Sequence, residues 1–215
     1  MKKKKELIET TIILFLISII YTLLVKYYDV AAIGPNKTSV GFKTINSLFH
    51  SITGYNDIWY KITKYLGYIP FLIVMYYGLI GLRQLIKKKN LKKVDKKLII
   101  LGTFYILVGL TYIFFEKVII NYRPILINNE LEASYPSSHT ILAITICISS
   151  IMMSKYYINE KKRKTFDILT WCMMIIIVIG RLASGVHWLT DIIGGIIIST
   201  FLLSTFNLLL SNTKK

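Results

Sequence analysis

Three short polar clusters interrupt an otherwise apolar chain: Lys117 to Arg123-Pro124, Pro136-Ser137-Ser138-His139, and Arg181-x5-His187-x3-Asp191. Two of the three histidines fall within them. His187 and Asp191 are four residues apart, which on a helix puts them on one face. A carboxylate there can hydrogen-bond one ring nitrogen, hold the tautomer and leave the other nitrogen free to attack phosphorus. Arg181 offers a forked, permanently charged donor for phosphate oxygens. His139, just after two serines, can act as general acid to a departing oxygen. Ser137 and the Ser138 amide can hold non-bridging oxygens. Arg123 adds a second phosphate clamp, with Lys117 a weaker candidate. Together these residues point to phosphoryl chemistry. Blander readings exist for each piece: a buried Arg181–Asp191 pair beside a packed histidine, Ser137 as a simple helix cap, and Lys117 with Arg123-Pro124 as a snorkelling interface anchor. Ionisable groups at membrane depth are costly and by default functional, which favours the chemical reading. Capping also leaves His139 without a purpose.

Segment lengths identify what must hold these clusters. The chain has 215 residues, 54% of them hydrophobic, with mean hydropathy +0.55, only modestly above the about 45–50% apolar content of soluble domains. A bilayer core needs about 20 mostly apolar residues per helix. Six stretches qualify, at 7–26, 66–86, 98–116, 138–154, 166–184 and 188–210. Residues 1–215 therefore read as a single integral membrane domain, all-α and polytopic, with six transmembrane helices. Lys2 to Lys5 ahead of Ile12–Ile17 resembles the start of a signal peptide. The apolar run is long and no small-residue cleavage site closes it cleanly, so the first stretch reads as an uncleaved helix.

The formal charge of +16 is unevenly spread: four positive charges in Lys2–Lys5, eight in Arg83–Lys97, five in Lys155–Lys164 and two in Lys214-Lys215, nineteen of 27 basic residues. With six spans, these four segments share one side. The positive-inside rule makes that side, and both termini, cytoplasmic. The lysines thus read as topology anchors rather than a nucleic-acid surface, and they also suit anionic lipid headgroups. Cys147 and Cys172 lie inside apolar stretches and read as packing residues. No metal-ligand spacing occurs, so no metal or other cofactor is expected.

Three segments then face outward, at 27–65, 117–137 and 183–188. In the first, apolar residues at 42, 45, 48, 49 and 52 follow helical spacing, predicting an amphipathic helix in the interface that carries His50. Trp59, Tyr60, Tyr65 and Tyr68 read as an aromatic belt ahead of the second span. In the second segment, Pro124 predicts that the third span stops near Arg123. Asn128-Asn129-Glu130 predicts a turn, and Ser137 a helix N-cap whose exposed amides form an anion site.

In this order the clusters resemble the signature of the type 2 phosphatidic acid phosphatase superfamily: Lys-x6-Arg-Pro, Pro-Ser-Gly-His, then Ser-Arg-x5-His-x3-Asp. The resemblance spans about residues 98–205. Gly180 replaces the serine of the third motif, and Ser138 the glycine of the second. In the first motif Glu116 stands where the signature has lysine, two helical turns before Arg123, and Lys117 points about 100° away. A carboxylate there would repel phosphate unless paired with Lys117 or Arg123.

The resemblance implies six membrane helices and a metal-free, cofactor-free mechanism. His187 attacks phosphorus, Asp191 orients it, His139 protonates the departing lipid oxygen, and water hydrolyses the phosphohistidine. Arg123, Arg181, Ser137, Ser138 and, less firmly, Lys117 hold the phosphate. The Lys-, Ile- and Asn-rich composition suggests a bacterium. The expected protein is a plasma-membrane lipid phosphatase with an extracytoplasmic site, acting on undecaprenyl diphosphate, phosphatidylglycerol phosphate or phosphatidic acid. Its expected partners are that lipid and the surrounding membrane lipids, with no nucleic acid and no oligomeric state specified. A lipid phosphotransferase using the same histidines, or a non-catalytic lipid transporter or scaffold, is the alternative.

Overall fold

The computed structural model describes residues 2–213, and among them helices are joined by loops and isolated bridges, with no extended strand. The helices are α1 (Lys2–Tyr27), α2 (Lys43–Thr53), α3 (Asp57–Leu66), α4 (Ile69–Lys88), α5 (Lys96–Lys117), α6 (Ser138–Tyr157), α7 (Glu160–Ala183) and α8 (Leu189–Ser211). Among the described residues six spans are long and apolar enough to cross a membrane; α3 runs into α4 to make one of them. An α-helix satisfies its backbone internally, which hydrocarbon surroundings demand. The six expected stretches each fall on one of these helices.

α6 is the central helix: 61% of its most apolar stretch is buried, against 11% for α1. Its buried Thr145 and Ser149 donate to the carbonyls of Ile141 and Ile146, so polar side chains are tolerated there. α8 packs beside it, and Phe104 of α5 stacks on Phe206 of α8 with ring centres 4.7 Å apart. α1 runs antiparallel to α8, since Thr11 meets Ser204 while the Tyr21 hydroxyl donates to the Thr190 carbonyl. Both described ends of the chain therefore lie at one end of the bundle. The α4–α5 and α6–α7 loops share an end as well, where the Tyr157 hydroxyl donates to Asp95 at 2.6 Å. Lys214 and Lys215 lie outside the described residues.

The segment between α1 and α4 differs from expectation. It carries two helices, and the residues read as an aromatic belt belong to α3 and the link after it. Tyr65 and Tyr68 are exposed, but Tyr60 turns inward over Arg181. α2 forms as expected, with Ile45, Leu48 and Ile52 outward and the polar Asn46 buried. That inversion suits a helix lying on a lipid surface. Asn46 holds the start of α8, accepting from the Thr190 amide at 3.2 Å and donating to its hydroxyl at 3.0 Å. His50 lies on α2 as expected, half-buried, with its ring 5.4 Å from that of Trp188.

α5 ends at Lys117, capped by the Val118 amide on the Phe114 carbonyl, six residues before Arg123. Pro124 is not what stops it. The chain turns instead into a short antiparallel excursion, with the Ser134 amide donating to Asn121 and the Arg123 amide to Glu132. Its tip holds Asn128 and Asn129 at φ 52° and 64°, as a type I′ turn requires.

Gly185, in the turn before α8, has φ +66°, and a Cβ there would lie 1.6 Å from the Gly54 carbonyl oxygen. Gly185→Ala is expected to cost about 1–3 kcal/mol. A thermal melt of the purified protein in detergent, beside the parent, checks this as a lowered Tm.

Candidate active site

Two helix starts are pressed together at one end of the bundle. The Ser137 amide, at the N-cap of α6, donates to the Asp191 carbonyl in the first turn of α8. A Cβ on Gly195 would come 3.0 Å from Thr140, and one on Gly194 would come 2.3 Å from the Tyr135 ring, so these glycines set the close approach. His139 of α6 and His187 of the α7–α8 turn thereby face one region. The excursion after α5 adds Arg123, and the last turn of α7 adds Arg181.

His187 is buried and lies before α8 rather than on it, so helical spacing is not what joins it to Asp191. The His187 Nδ1 to Asp191 Oδ2 distance is 3.8 Å, too long for a hydrogen bond. Ser134 stands between them. Its hydroxyl donates to Asp191 Oδ2 at 2.5 Å and lies 3.2 Å from His187 Nδ1, while its carbonyl lies 3.1 Å from the same nitrogen. A carbonyl only accepts, so Nδ1 carries the proton and Nε2 presents its lone pair. Arg123 Nη1 sits 3.4 Å from Nε2. Burial, then the charges of Arg123, Arg181 and His139, hold the His187 imidazole well below its ordinary value, so it is neutral. Asp191 is fully buried and is satisfied by donors: the Trp188 amide at 2.9 Å, Ser134, and Asn121 at 3.5 Å.

The other expected residues are placed unequally. Arg123 Nε lies 3.0 Å from Glu132 Oε2, and Arg181 is buried under the Tyr60 ring, donating to Thr63 at 3.4 Å. His139 lies within electrostatic range of both arginines and abuts Gly67, where a Cβ would come 2.8 Å from its ring. The Ser137 hydroxyl accepts from the Thr140 amide and hydroxyl, so it caps α6. Ser138 lines a narrow cleft with His187, Ser134, Tyr112, Phe115, Glu116, Ile141 and Leu142. Its amide, in the first helical turn, has no intrahelical carbonyl to bond. Lys117 is exposed and does not line that cleft, whereas Glu116 does. Because α5 has ended, the helical spacing that relates these two residues to Arg123 no longer applies. Among the described residues no ion pair joins Glu116 to Lys117 or Arg123.

Gly180 has a steric reason: a Cβ there would lie 2.5 Å from Thr63 and 3.0 Å from Trp59, so it seats α3 against α7. Among the described residues no group of three or more His, Cys, Asp or Glu is placed to hold a metal. Sequence reasoning missed Ser134, Asn121, Glu132, Tyr60, Thr63 and Gly67. Folding the chain back regularly at Asn128-Asn129 would set Arg123 opposite Ser134; the pairing of Tyr122 with Ala133 is shifted two residues from that register, and the shift is what brings Glu132 to Arg123. Nothing local marks the α3 residues, which act only through packing on α7.

Ser134 joins the carboxylate to the imidazole, so removing its hydroxyl should loosen His187. Ser134→Ala is expected to lower kcat roughly 10- to 100-fold, as small misplacements of a reacting group do. Steady-state phosphate release, with KM compared, checks it.

A family model, the PAP2 superfamily, matches residues 97–214. No curated protein matches the sequence significantly. Among solved structures, the chain is similar to the first transmembrane PAP2-type phosphatidylglycerolphosphate phosphatase from Bacillus subtilis, at 18% identity and TM-score 0.58, covering 95% of this chain and 97% of that one. The chain shares that structure's fold, with six helices among the described residues long and apolar enough to cross a membrane. With more than half its length matched, and with all three motifs inside or beside the matched region, the chain belongs to the PAP2 superfamily.

Proposed function

We propose that the protein is a bacterial lipid phosphatase of the plasma membrane, hydrolysing a lipid phosphate or diphosphate through a phosphohistidine. One observation carries this reading: two imidazoles and two guanidiniums converge at one end of the bundle, all within electrostatic range of His187. Four groups of one potential sign, with Glu132 the acid on Arg123, are unfavourable together unless an anion joins them. A phosphate supplies that anion.

In the proposed reaction the His187 Nε2 lone pair attacks phosphorus and the bond to the lipid oxygen breaks. His139 gives that oxygen a proton, and the lipid alcohol departs. Nδ1 keeps its proton against the Ser134 carbonyl, while Asp191, acting through the Ser134 hydroxyl, supports the imidazolium that forms. Water then attacks the phosphohistidine, His139 takes up its proton, and the phosphorus–nitrogen bond breaks to release phosphate. Arg123, Arg181 and the Ser138 amide stabilise the equatorial oxygens. Ser137 contributes chiefly by capping the helix that carries His139. The chemistry needs no metal. The lysine-rich end faces the cytoplasm with both termini, and the site faces outward.

Purified protein in detergent with EDTA should release phosphate from phosphatidic acid, phosphatidylglycerol phosphate or a polyprenyl diphosphate, and His187→Ala should abolish this. Equal release by the two proteins would end the nucleophile assignment. Loss of turnover in EDTA, restored by a divalent cation, would end the metal-free mechanism.

The pH dependence follows from the lowered His187 value. The neutral, attacking form persists as pH falls below about 6.5, the ordinary imidazole value, and is lost only as pH passes the lowered one. Arg123→Gln removes a charge that disfavours protonation, so it should move the acid limb of kcat/KM to higher pH. A profile measured on both proteins checks the direction.

A further inference from the structure

A groove of about 480 Å³ runs between α4 and α5 and ends at Leu91 and Val94 of the lysine-rich loop that joins them. Along α4 it extends from Val74 to Leu85, about 16 Å of helix. That is close to the depth of one leaflet, half of the roughly 30 Å hydrocarbon core. Its surface is hydrocarbon. The Tyr77 hydroxyl donates to the Ser150 carbonyl and the Tyr105 hydroxyl accepts from Ser149, so both are engaged on α6. Gly78, Gly81 and Gly102 line the groove, and a Cβ on any of them would meet nothing within 4 Å. Gly67, Gly180, Gly194 and Gly195 each admit another segment of the chain, whereas these three admit none. Glycine inside a helix is less favourable than alanine, so the open strip suits a group from outside the chain.

The loop at the groove's end identifies that group. Arg83–Lys97 holds eight basic residues and one acid, Asp95. Asp95 accepts from the Tyr157 hydroxyl and the Lys97 amide, with Lys97 Nζ 3.8 Å away. Among the described residues no ion pair reaches Lys88, Lys92 or Lys93. Lys92 and Lys93 are exposed and sit between the two loop residues that line the groove, so cations and hydrocarbon adjoin. Lys88 Nζ is held at the same loop by donating to the Lys93 carbonyl at 2.8 Å. We propose that the groove binds one anionic phospholipid, its acyl chain along Gly78, Gly81 and Gly102 and its phosphate at Lys88, Lys92 and Lys93. An apolar slot one leaflet deep, rimmed by cations without counter-charges, matches an amphiphile with an acidic head. A zwitterionic lipid brings no net charge to those lysines. A second copy seated symmetrically on this face would bring two such clusters together, and they repel. The groove lies toward the opposite end of α4 from Gly67, which abuts His139, so the site is separate from the proposed reaction.

The test measures Tm of the purified full chain in a neutral detergent, with dioleoyl phosphatidylglycerol or dioleoyl phosphatidylcholine added at equal mole fraction. Both are phosphodiesters, so the readout does not depend on turnover. Phosphatidylglycerol, at about ten times its Kd, is expected to raise Tm by about 3–6 °C more than phosphatidylcholine does. Two double variants separate the parts of the site. Gly78→Leu with Gly102→Leu fills the groove while favouring the helix, and Lys92→Gln with Lys93→Gln removes charge from an exposed loop. Each is expected to abolish most of the difference between the lipids. Equal shifts from the two lipids, or a difference that persists in either variant, overturns the inference. Persistence in the glycine variant alone would mean attraction to the lysines without a groove; persistence in both would mean binding elsewhere, such as beside His187. A chain that is dimeric in detergent and becomes monomeric in the glycine variant would assign the groove to a second copy and overturn the inference too.

Discussion

A carboxylate buried away from water has to be given donors, and Asp191 takes them from separate parts of the chain. Ser134 and Asn121 come from the excursion after α5, and the Trp188 amide from the turn before α8. Its backbone carbonyl meanwhile takes the Ser137 amide at the start of α6. Satisfying this one residue therefore fastens together the three segments that hold His139, His187 and Arg123. A buried acceptor left without partners costs about 1–3 kcal/mol, and more when it is charged. The hydrogen bonds are thus a strong constraint on where the imidazoles sit.

The second constraint is repulsion. Arg181 is among the most buried large side chains, and its closest companions are the Tyr60 ring and the Thr63 hydroxyl rather than a carboxylate. Arg123 has Glu132, but its Nη1 is aimed at the imidazole. Cationic groups gathered with so little acid between them repel one another, and on the proposed reading a bound phosphate offsets that repulsion. α3 makes the arrangement possible. It covers Arg181, and glycines at 180 and 67 let it approach α7 and His139.

The spans were legible because twenty apolar residues in a row have few structural meanings, and each expected stretch became a helix. The lysine runs share one end of the bundle as far as the residues are described. The residues that gather at the candidate site were legible because arginine and histidine at such depth call for a reason. What could not be read was contact between distant segments. Ser134 is a serine among serines until the excursion folds it against Asp191. α3 looked like the approach to a span because its aromatic residues fit an interface equally well. Helical spacing misled twice: His187 precedes its helix, and α5 stops before Arg123, so angular arguments about Glu116 and Lys117 had no helix to rest on. The turn at Asn128-Asn129 was read, but the shifted register of the pairing beyond it had no signal in the sequence.

The central claim is that His187 Nε2 is the atom that meets phosphorus, with the guanidiniums and His139 arranged around it. An experimental structure of the protein with orthovanadate, which adopts the five-coordinate shape of the reacting phosphate, tests this most directly. The account predicts vanadium bonded to His187 Nε2, Arg123 and Arg181 on its equatorial oxygens and His139 at the opposite apex. Vanadate bonded to His139 instead, or seated away from both rings, would contradict it.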